Sequence, residues 1–474
     1  MRILFISRDF SGASLCRRLV DEGNAVRAIV TDQRYARILG GVVEHVYTDV
    51  HGLARTHTDE GRHGAAPGTS SVPVRESPCA SVVPPSLATP LTWVTREGLI
   101  VFDDSGFGQL QDDLRRDGYV VVGGCAGADR LEHDRPYCQR VLADCGIRAL
   151  PTDYFPTARD AIRFIEARRG RWVIKQNGHA EKTFCYAGQL ESGEDVLDVL
   201  RQLEANATDN DSHVVLQQRM DGVEIGVGRY FNGTDWIGPI ELNVEHKKFF
   251  TGDLGPKTCE MGTLLWYDGD DGNRLFDEVL APLMPHLRKI GFHGDMDVNC
   301  IINEHGAWPL ELTPRFGYPA NAIQIELHQS PWAGFLHAIA TGQSYDLKWR
   351  SGYGLAVLAA TPPFPYQTEA APATRSPLSP CGLRIRFHAP PDAGELSHYH
   401  FEEALRLPDG TWEICGDTGY ALHVTGHGLT VADAREATHQ RLANLVIPRM
   451  YYRSDIGAKF ASESQQQLQE WGWL

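Results

Sequence analysis

Two acidic residues and an arginine stand close together in GDMDVNCIINEHGAWPLELTPRFGYP, Gly294 to Pro319. With a turn at Asn303 to Gly306 this segment is a β-hairpin, and Asp297 then falls within about one residue of directly opposite Glu311. Side chains alternate along a strand, so Asn299 shares a face with Asp297 and Thr313 shares one with Glu311. Facing carboxylates repel unless a cation lies between them. Oxygen donors on paired strands, with space for phosphate oxygens and water, suit Mg²⁺ or Mn²⁺. Asp297, Asn299, Glu311 and Thr313 are therefore candidate metal ligands, and Arg315 is a candidate two-pronged phosphate donor. A solvated acidic hairpin would carry the same residues, so the company it keeps decides the reading.

That company is spread along the chain. Lys175 ends the apolar run WVIK and precedes Asn177-Gly178, where an ammonium can reach a phosphate or simply face water. Glu224, just past the apolar run in LQQRMDGVEIG, could hold ribose hydroxyls or be an ordinary loop acid. GDLGPKTCEMG, Gly252 to Gly262, is too rich in Gly and Pro for a regular strand or helix. It is either a plain surface loop or one whose backbone approaches a ligand.

These residues need a scaffold, and the hydrophobic pattern supplies one. Arg2 to Ser7 reads as a buried strand, Ser11 to Glu22 as a helix and Asn24 to Asp32 as a second strand, a βαβ unit that implies a parallel sheet. Leu99 to Asp104, Leu110 to Arg116 and Tyr119 to Gly124 repeat the pattern. Between the two lies a segment rich in Gly, Ala, Ser, Thr and Pro, expected to be a flexible insertion over about 48–95. Farther on, Asn232-Gly233 signals a hairpin and Leu275 to Ile290 a long helix. The 474 residues, 42% hydrophobic and 22% charged, suit a globular protein of about two to four domains. A formal net charge of -16 argues against nucleic acid or an anionic membrane as the main partner. Ten cysteines without a CxxC pair give no zinc spacing, and reduced thiols in a cytoplasmic protein are expected. The opening MRILFISRDF reads as a strand, not a signal peptide, and no apolar run is long enough to span a bilayer.

Several segments, in order, then point to one family. EHKKFFTGDLGPKTCEMG (Glu245 to Gly262) resembles the DHKR…GDTGPNTGGMG segment of the phosphoribosylamine–glycine ligases, ATP-grasp enzymes that join phosphoribosylamine to glycine. WVIKQNG resembles their VIKADG, LQQRMDGVEIG their EEFLDGEE, LELTPRFGYP their LEFNxRFGDP, and Thr418 to Gly457 their closing segment. The resemblance implies an α/β fold, α+β in its central lobes. A Rossmann-like domain (1–126) would be followed by a two-lobed ATP-grasp domain (127–345) and a smaller β-rich C-terminal domain (346–474). It implies ATP and Mg²⁺ as cofactors and small-molecule carboxylate and amine substrates, with a monomer or dimer both open. Lys175 and Arg135 would hold ATP phosphates, Gln217, Arg219 and Met220 would border adenine, and Glu224 would hold ribose. Glu311 would hold metal, while Lys175 and Arg315 would serve the phosphoryl transfer. Substrate contacts are expected from Lys247, Asp253, Gly255, Pro256, Lys257, Thr258, Met261 and Tyr318.

The departures from the family pattern are themselves informative. The family's N-terminal GxGGREH, which serves the substrate phosphate, is replaced by SRDFSGAS (Ser7 to Ser14), and its GPExPL loop by FDDSGFG (Phe102 to Gly108). The glycine-rich flap becomes NGHAEKTF, Thr313 stands for the metal-binding Asn, and Tyr318 for the Asp of GDP. The family has no acid corresponding to Asp297. The expectation is a ligase that kept the reaction and changed a substrate, with an amino acid on one side. A true phosphoribosylamine–glycine ligase and a nucleotide-binding protein without catalysis are the alternatives.

Overall fold

The computed structural model describes residues 1–46, 85–175, 185–206, 214–269, 272–366 and 378–474. The first sheet is parallel and holds β1 (Arg2–Ser7), β2 (Ala25–Val30), β3 (Glu44–His45), β4 (Leu99–Phe102) and β5 (Val120–Val122). Its order, β3-β2-β1-β4-β5, puts the change of winding direction between β1 and β4. The loops leaving those two strands meet there, which is where open α/β sheets place ligands. Most of the segment expected to be a flexible insertion lies outside the described residues. Its end differs from that expectation: Pro85–Leu87 and Ala88–Val94 are helical, because Leu87, Leu91 and Val94 recur at helical spacing and are buried against Leu4 and Ile100.

A second, four-stranded antiparallel sheet follows, made of β6 (Thr152–Phe155), β7 (Trp172–Lys175), β8 (Tyr186–Ala187) and β9 (Val214–Gln218) in the order β6-β9-β7-β8. Helices Ala158–Ala167 and Glu194–Asn206 cover one face with Ile165, Val196 and Leu200, all at 0% exposure. Each such side chain contributes about 1.5–3 kcal/mol relative to an exposed one. The glycine-poor flap, residues 177–184, lies outside the described residues.

The largest sheet is antiparallel and eight-stranded. Its members include β10 (Val223–Asn232), β11 (Trp236–Glu245), β12 (Gly262–Asp268), β13 (His293–Asn303) and β14 (Gly306–Thr313). β15 (Tyr353–Ala360), β16 (Tyr399–Phe401) and β17 (Tyr420–Gly428) complete it, in the order β14-β13-β10-β11-β12-β15-β17-β16. A boundary near 345 therefore cuts through a continuous sheet, since β12 pairs with β15 over Gly262–Trp266. The hairpin expected at Asn232-Gly233 is present; Asn232 Oδ1 accepts from the Thr234 and Asp235 amides, and Gly233 supplies φ +89. Leu275 to Ile290 is helical but not one α-helix. A π segment (Phe276–Leu280), a 3₁₀ turn (Ala281–Leu283) and an α-helix (Met284–Ile290) follow one another. Pro282 and Pro285 lack the N–H that an uninterrupted ladder needs. No helix among the described residues is long and apolar enough to cross a membrane.

Candidate functional site

The three sheets enclose a cavity of about 1420 Å³. Its walls are the loops after β1 and β4, the inner faces of β7 and β9, and the polar face of β10, β11, β13 and β14. Lys175, Arg135, Gln217, Arg219, Met220, Glu224, Lys247, Asp253, Lys257, Thr258, Asp297, Glu311, Thr313, Arg315 and Tyr318 all border it. Residues spread over nearly two hundred positions of sequence are thus brought to one space. Gly255, Pro256 and Met261 differ from expectation. Gly255 and Pro256 lie in a short strand, Leu254–Lys257, paired with Lys248–Phe250, so the Gly252–Gly262 segment is largely a hairpin. Met261 is 1% exposed and packs into the core behind the cavity.

The register of the acidic hairpin also differs. A bulge between Asn299 and Cys300 sets Asn299 opposite Glu311 and Asp297 opposite Thr313. Asn299, rather than Asp297, therefore stands directly across from Glu311. The partner of Glu311 is Lys247, whose Nζ lies 3.0 Å from Glu311 Oε1, 2.6 Å from Glu245 Oε2 and 3.7 Å from Glu224 Oε1. Burial opposes charge on Lys247, but Glu245, Glu311 and Glu224 outweigh it and hold the ammonium far above its usual range. Lys247 is the main influence pulling Glu311 well below the ordinary carboxylate range, and Lys257 and Lys175 add to it. Burial, then Arg135, lowers Lys175 to about 8. The half of the cavity around Glu311 is therefore rich in positive charge and matched to a polyphosphate.

Donors for a divalent cation remain in the same place. Asn299 is 3% exposed and gives its Nδ2 to Glu245 (2.7 Å) and Glu224 (3.2 Å), while its Oδ1 has no partner among the described residues. A buried amide oxygen without a donor is costly unless a ligand completes it. With the Glu311 carboxylate directly across and Thr313 two positions on, these hard oxygen donors fit Mg²⁺.

The inner half of the same sheet face is acidic, and sequence reasoning missed it. Glu241, Asn243 and Glu245 alternate along β11, so their spacing in ELNVE carried the signal. Between β11 and β13 runs β10 with Gly226 and Gly228, which lie beside Asn243 and Glu241 on one side and Asn299 and Asp297 on the other. Lacking side chains, they let Asn243 reach across: its Nδ2 donates to Asp297 Oδ2 at 2.9 Å. A methyl group on Gly226 would sit 2.3 Å from Asn243 Oδ1. Gly226→Ala is expected to destabilise the protein by about 1–3 kcal/mol, read as a lower thermal midpoint; an unchanged midpoint would mean Asn243 can relocate freely. Burial, followed by Glu241 and Glu245, holds Asp297 well above the ordinary range.

At the N-terminal wall the backbone donors are already used. The Gly12 amide donates to Asp103 Oδ2 (2.7 Å), Phe10 to Ser7 Oγ (2.7 Å), and Gly106 and Gly108 to the two oxygens of Asp129 (2.8 and 2.7 Å). Asp103 is 1% exposed, and burial raises it well above the usual range. Asp9, Asp104, Glu132, Glu402 and Glu403 also face this part of the cavity. Arg315 Nε is bound there, 3.0 Å from Glu132 Oε1 and 3.7 Å from Asp104 Oδ1. Burial disfavours its charge, yet Glu132 and Asp104 raise it above even the usual guanidinium range.

A cavity between two lobes and a Rossmann-like sheet, with lysines around a strand-borne glutamate, fits an ATP-grasp ligase. Residues 133–321 match the family model described as phosphoribosylglycinamide synthetase, ATP-grasp (A) domain. Over those residues the chain is similar to that family. It is 25% identical over 364 residues to the phosphoribosylamine–glycine ligase of Corynebacterium ammoniagenes, covering 73% of this chain and 79% of the relative. Against the ligase of that name from Streptomyces coelicolor it is 26% identical over 360 residues, covering 74% and 81%. The crystal structure of the Thermotoga maritima phosphoribosylamine–glycine ligase shares the fold with a TM-score of 0.65 at 17% identity, covering 96% of this chain and all of that one.

Proposed function

We propose that the protein joins a carboxylate to an amine with ATP, through an acyl-phosphate, and that its amine substrate is not phosphoribosylamine. Lys175, Arg135 and Lys257 hold the triphosphate, with Gln217, Met220 and Glu224 around the nucleoside. Glu311, Asn299 and Thr313 hold Mg²⁺, which when bound neutralises developing charge on the transferred phosphoryl group. Arg315 orients the substrate carboxylate, whose oxygen attacks the γ-phosphate with ADP leaving. The amine then attacks the acyl carbon and releases phosphate. The protein's share is positioning and charge compensation.

The altered substrate rests on one observation above all: at the N-terminal wall the loop amides that could grip a phosphate are held by Asp103 and Asp129. The names of the relatives favour a second reading, glycine ligation to phosphoribosylamine itself. Incubation with MgATP and pools of amino acids and amines, following ADP and new amides by mass, separates the two. Amide formation that ignores phosphoribosylamine is expected; strict dependence on it would establish the second reading.

Lys175 gives a proton signature. At about 8 its amine is half charged near pH 8 in the free protein, and a polyphosphate favours the charged form. Binding of MgADP at pH 8 is expected to take up about half a proton, and affinity to fall as pH rises further. Calorimetry in two buffers of different ionisation heat measures this uptake, and equal heats would contradict the placement of Lys175 on phosphate.

A further inference from the structure

Next to the phosphate half of the cavity lies an acidic recess that the phosphoryl-transfer chemistry leaves unused. Its floor is Gly226 and Gly228, and its walls are Glu241, Asn243, Asp295 and Asp297, all bordering the cavity except the glycines. The side-chain donors that reach its carboxylates are neutral, two amides and the Tyr230 hydroxyl on Asp295. Gln324 Nε2 gives to Glu241 Oε2 (2.7 Å) and Asp295 Oδ2 (3.2 Å), and Asn243 Nδ2 to Asp297 Oδ2 (2.9 Å) and Glu241 Oε1 (3.4 Å). Tyr230 fixes Gln324 in this orientation by donating to its Oε1 at 2.7 Å. Asn243 is 3% exposed, and its Oδ1, over Gly226, has no partner among the described residues. The recess therefore offers oxygen acceptors to an incoming donor, and lacks a donor of its own at Asn243.

We propose that this recess is a subsite for a protonated primary amine that belongs to the substrate but does not react. This rests on the ligase reading given above. An ammonium brings three N–H donors and accepts oxygen contacts near 2.8–3.0 Å from a loose set of neighbours. Mg²⁺ instead demands an octahedron at about 2.0–2.1 Å. No three Asp, Glu, His or Cys residues among those described are arranged to hold a metal. An ammonium has no lone pair, so a nitrogen held here cannot be the one that attacks the acyl-phosphate. The substrate class is thus a diamine or diamino acid, one nitrogen anchored over Gly226 and another free to react. The N-terminal wall agrees, since its loop amides are already held by Asp103 and Asp129.

The test is calorimetric titration of the full chain loaded with MgAMPPNP, using 1,4-diaminobutane and 1,4-butanediol. Only the first probe carries an ammonium for the recess. The diamine is expected to bind at least about 10-fold more tightly, the scale of a charged hydrogen-bonded group. Asp297→Asn is expected to remove that difference and leave MgAMPPNP affinity unchanged; Glu241→Gln serves as a second variant should the first fold poorly. Equal affinity for the two probes, no diamine binding, or a loss of MgAMPPNP affinity in the variants overturns the subsite. Failure of MgAMPPNP itself to bind counts against the ligase reading, whereas its binding without diamine preference counts against the subsite alone.

Discussion

Replacing Glu311 by alanine is expected to lower ATP turnover by about a thousandfold, with the protein still folded. The carboxylate lies across from Asn299, whose Oδ1 has no partner among the described residues, and faces Lys247, Lys257 and Lys175, so in the proposed reading it is where metal and phosphate charge meet. Its removal leaves Lys247 paired with Glu245 at 2.6 Å, and the local charge balance survives. The expected pattern is a collapse of kcat and a higher Mg²⁺ requirement, with a circular-dichroism spectrum like that of the parent. Steady-state ADP release over a Mg²⁺ series measures both. Unchanged turnover, or unchanged function in the cell, would instead favour a nucleotide-binding protein that does not catalyse.

Arg315→Ala is expected to have the second largest effect, and a different kind. Arg315 joins the large sheet to the N-terminal wall through Glu132 and Asp104. Without it those carboxylates lose a cationic partner, at a cost of about 1–3 kcal/mol because the site keeps some solvent. Loss of the planar fork is expected to lower kcat/KM for the carboxylate by about 10²–10³. Arg315→Lys separates the contributions: an ammonium restores charge and most stability, but not two-point recognition. Parallel melting curves and kinetics distinguish them. Full activity in the lysine variant would mean that Arg315 acts only as an ion-pair link.

Much of the scaffold was legible because local rules govern it. Period-two alternation in β13 and β14 and the turn at Asn303 to Gly306 announced the acidic hairpin, and Asn232-Gly233 announced another. The β15–β17 strands were read as a separate domain because nothing local says that a strand near 353 will pair with one near 265. The helical turns at Pro85–Val94 were hidden by a flanking composition typical of loops, although Leu87, Leu91 and Val94 had helical spacing.

The chain by itself determined the parallel βαβ start, the acidic hairpin, the order of segments shared with the ligases, and part of the set of residues that line the cavity. Only the tertiary structure decided which charges meet. One bulge moved Asp297 away from Glu311, Lys247 reached Glu311 from 64 positions away, and Asn243 reached Asp297 from 54. Alternation and spacing fix the face on which a side chain stands. Pairing across strands depends on register, bulges and glycine gaps, and these are settled by how whole sheets pack.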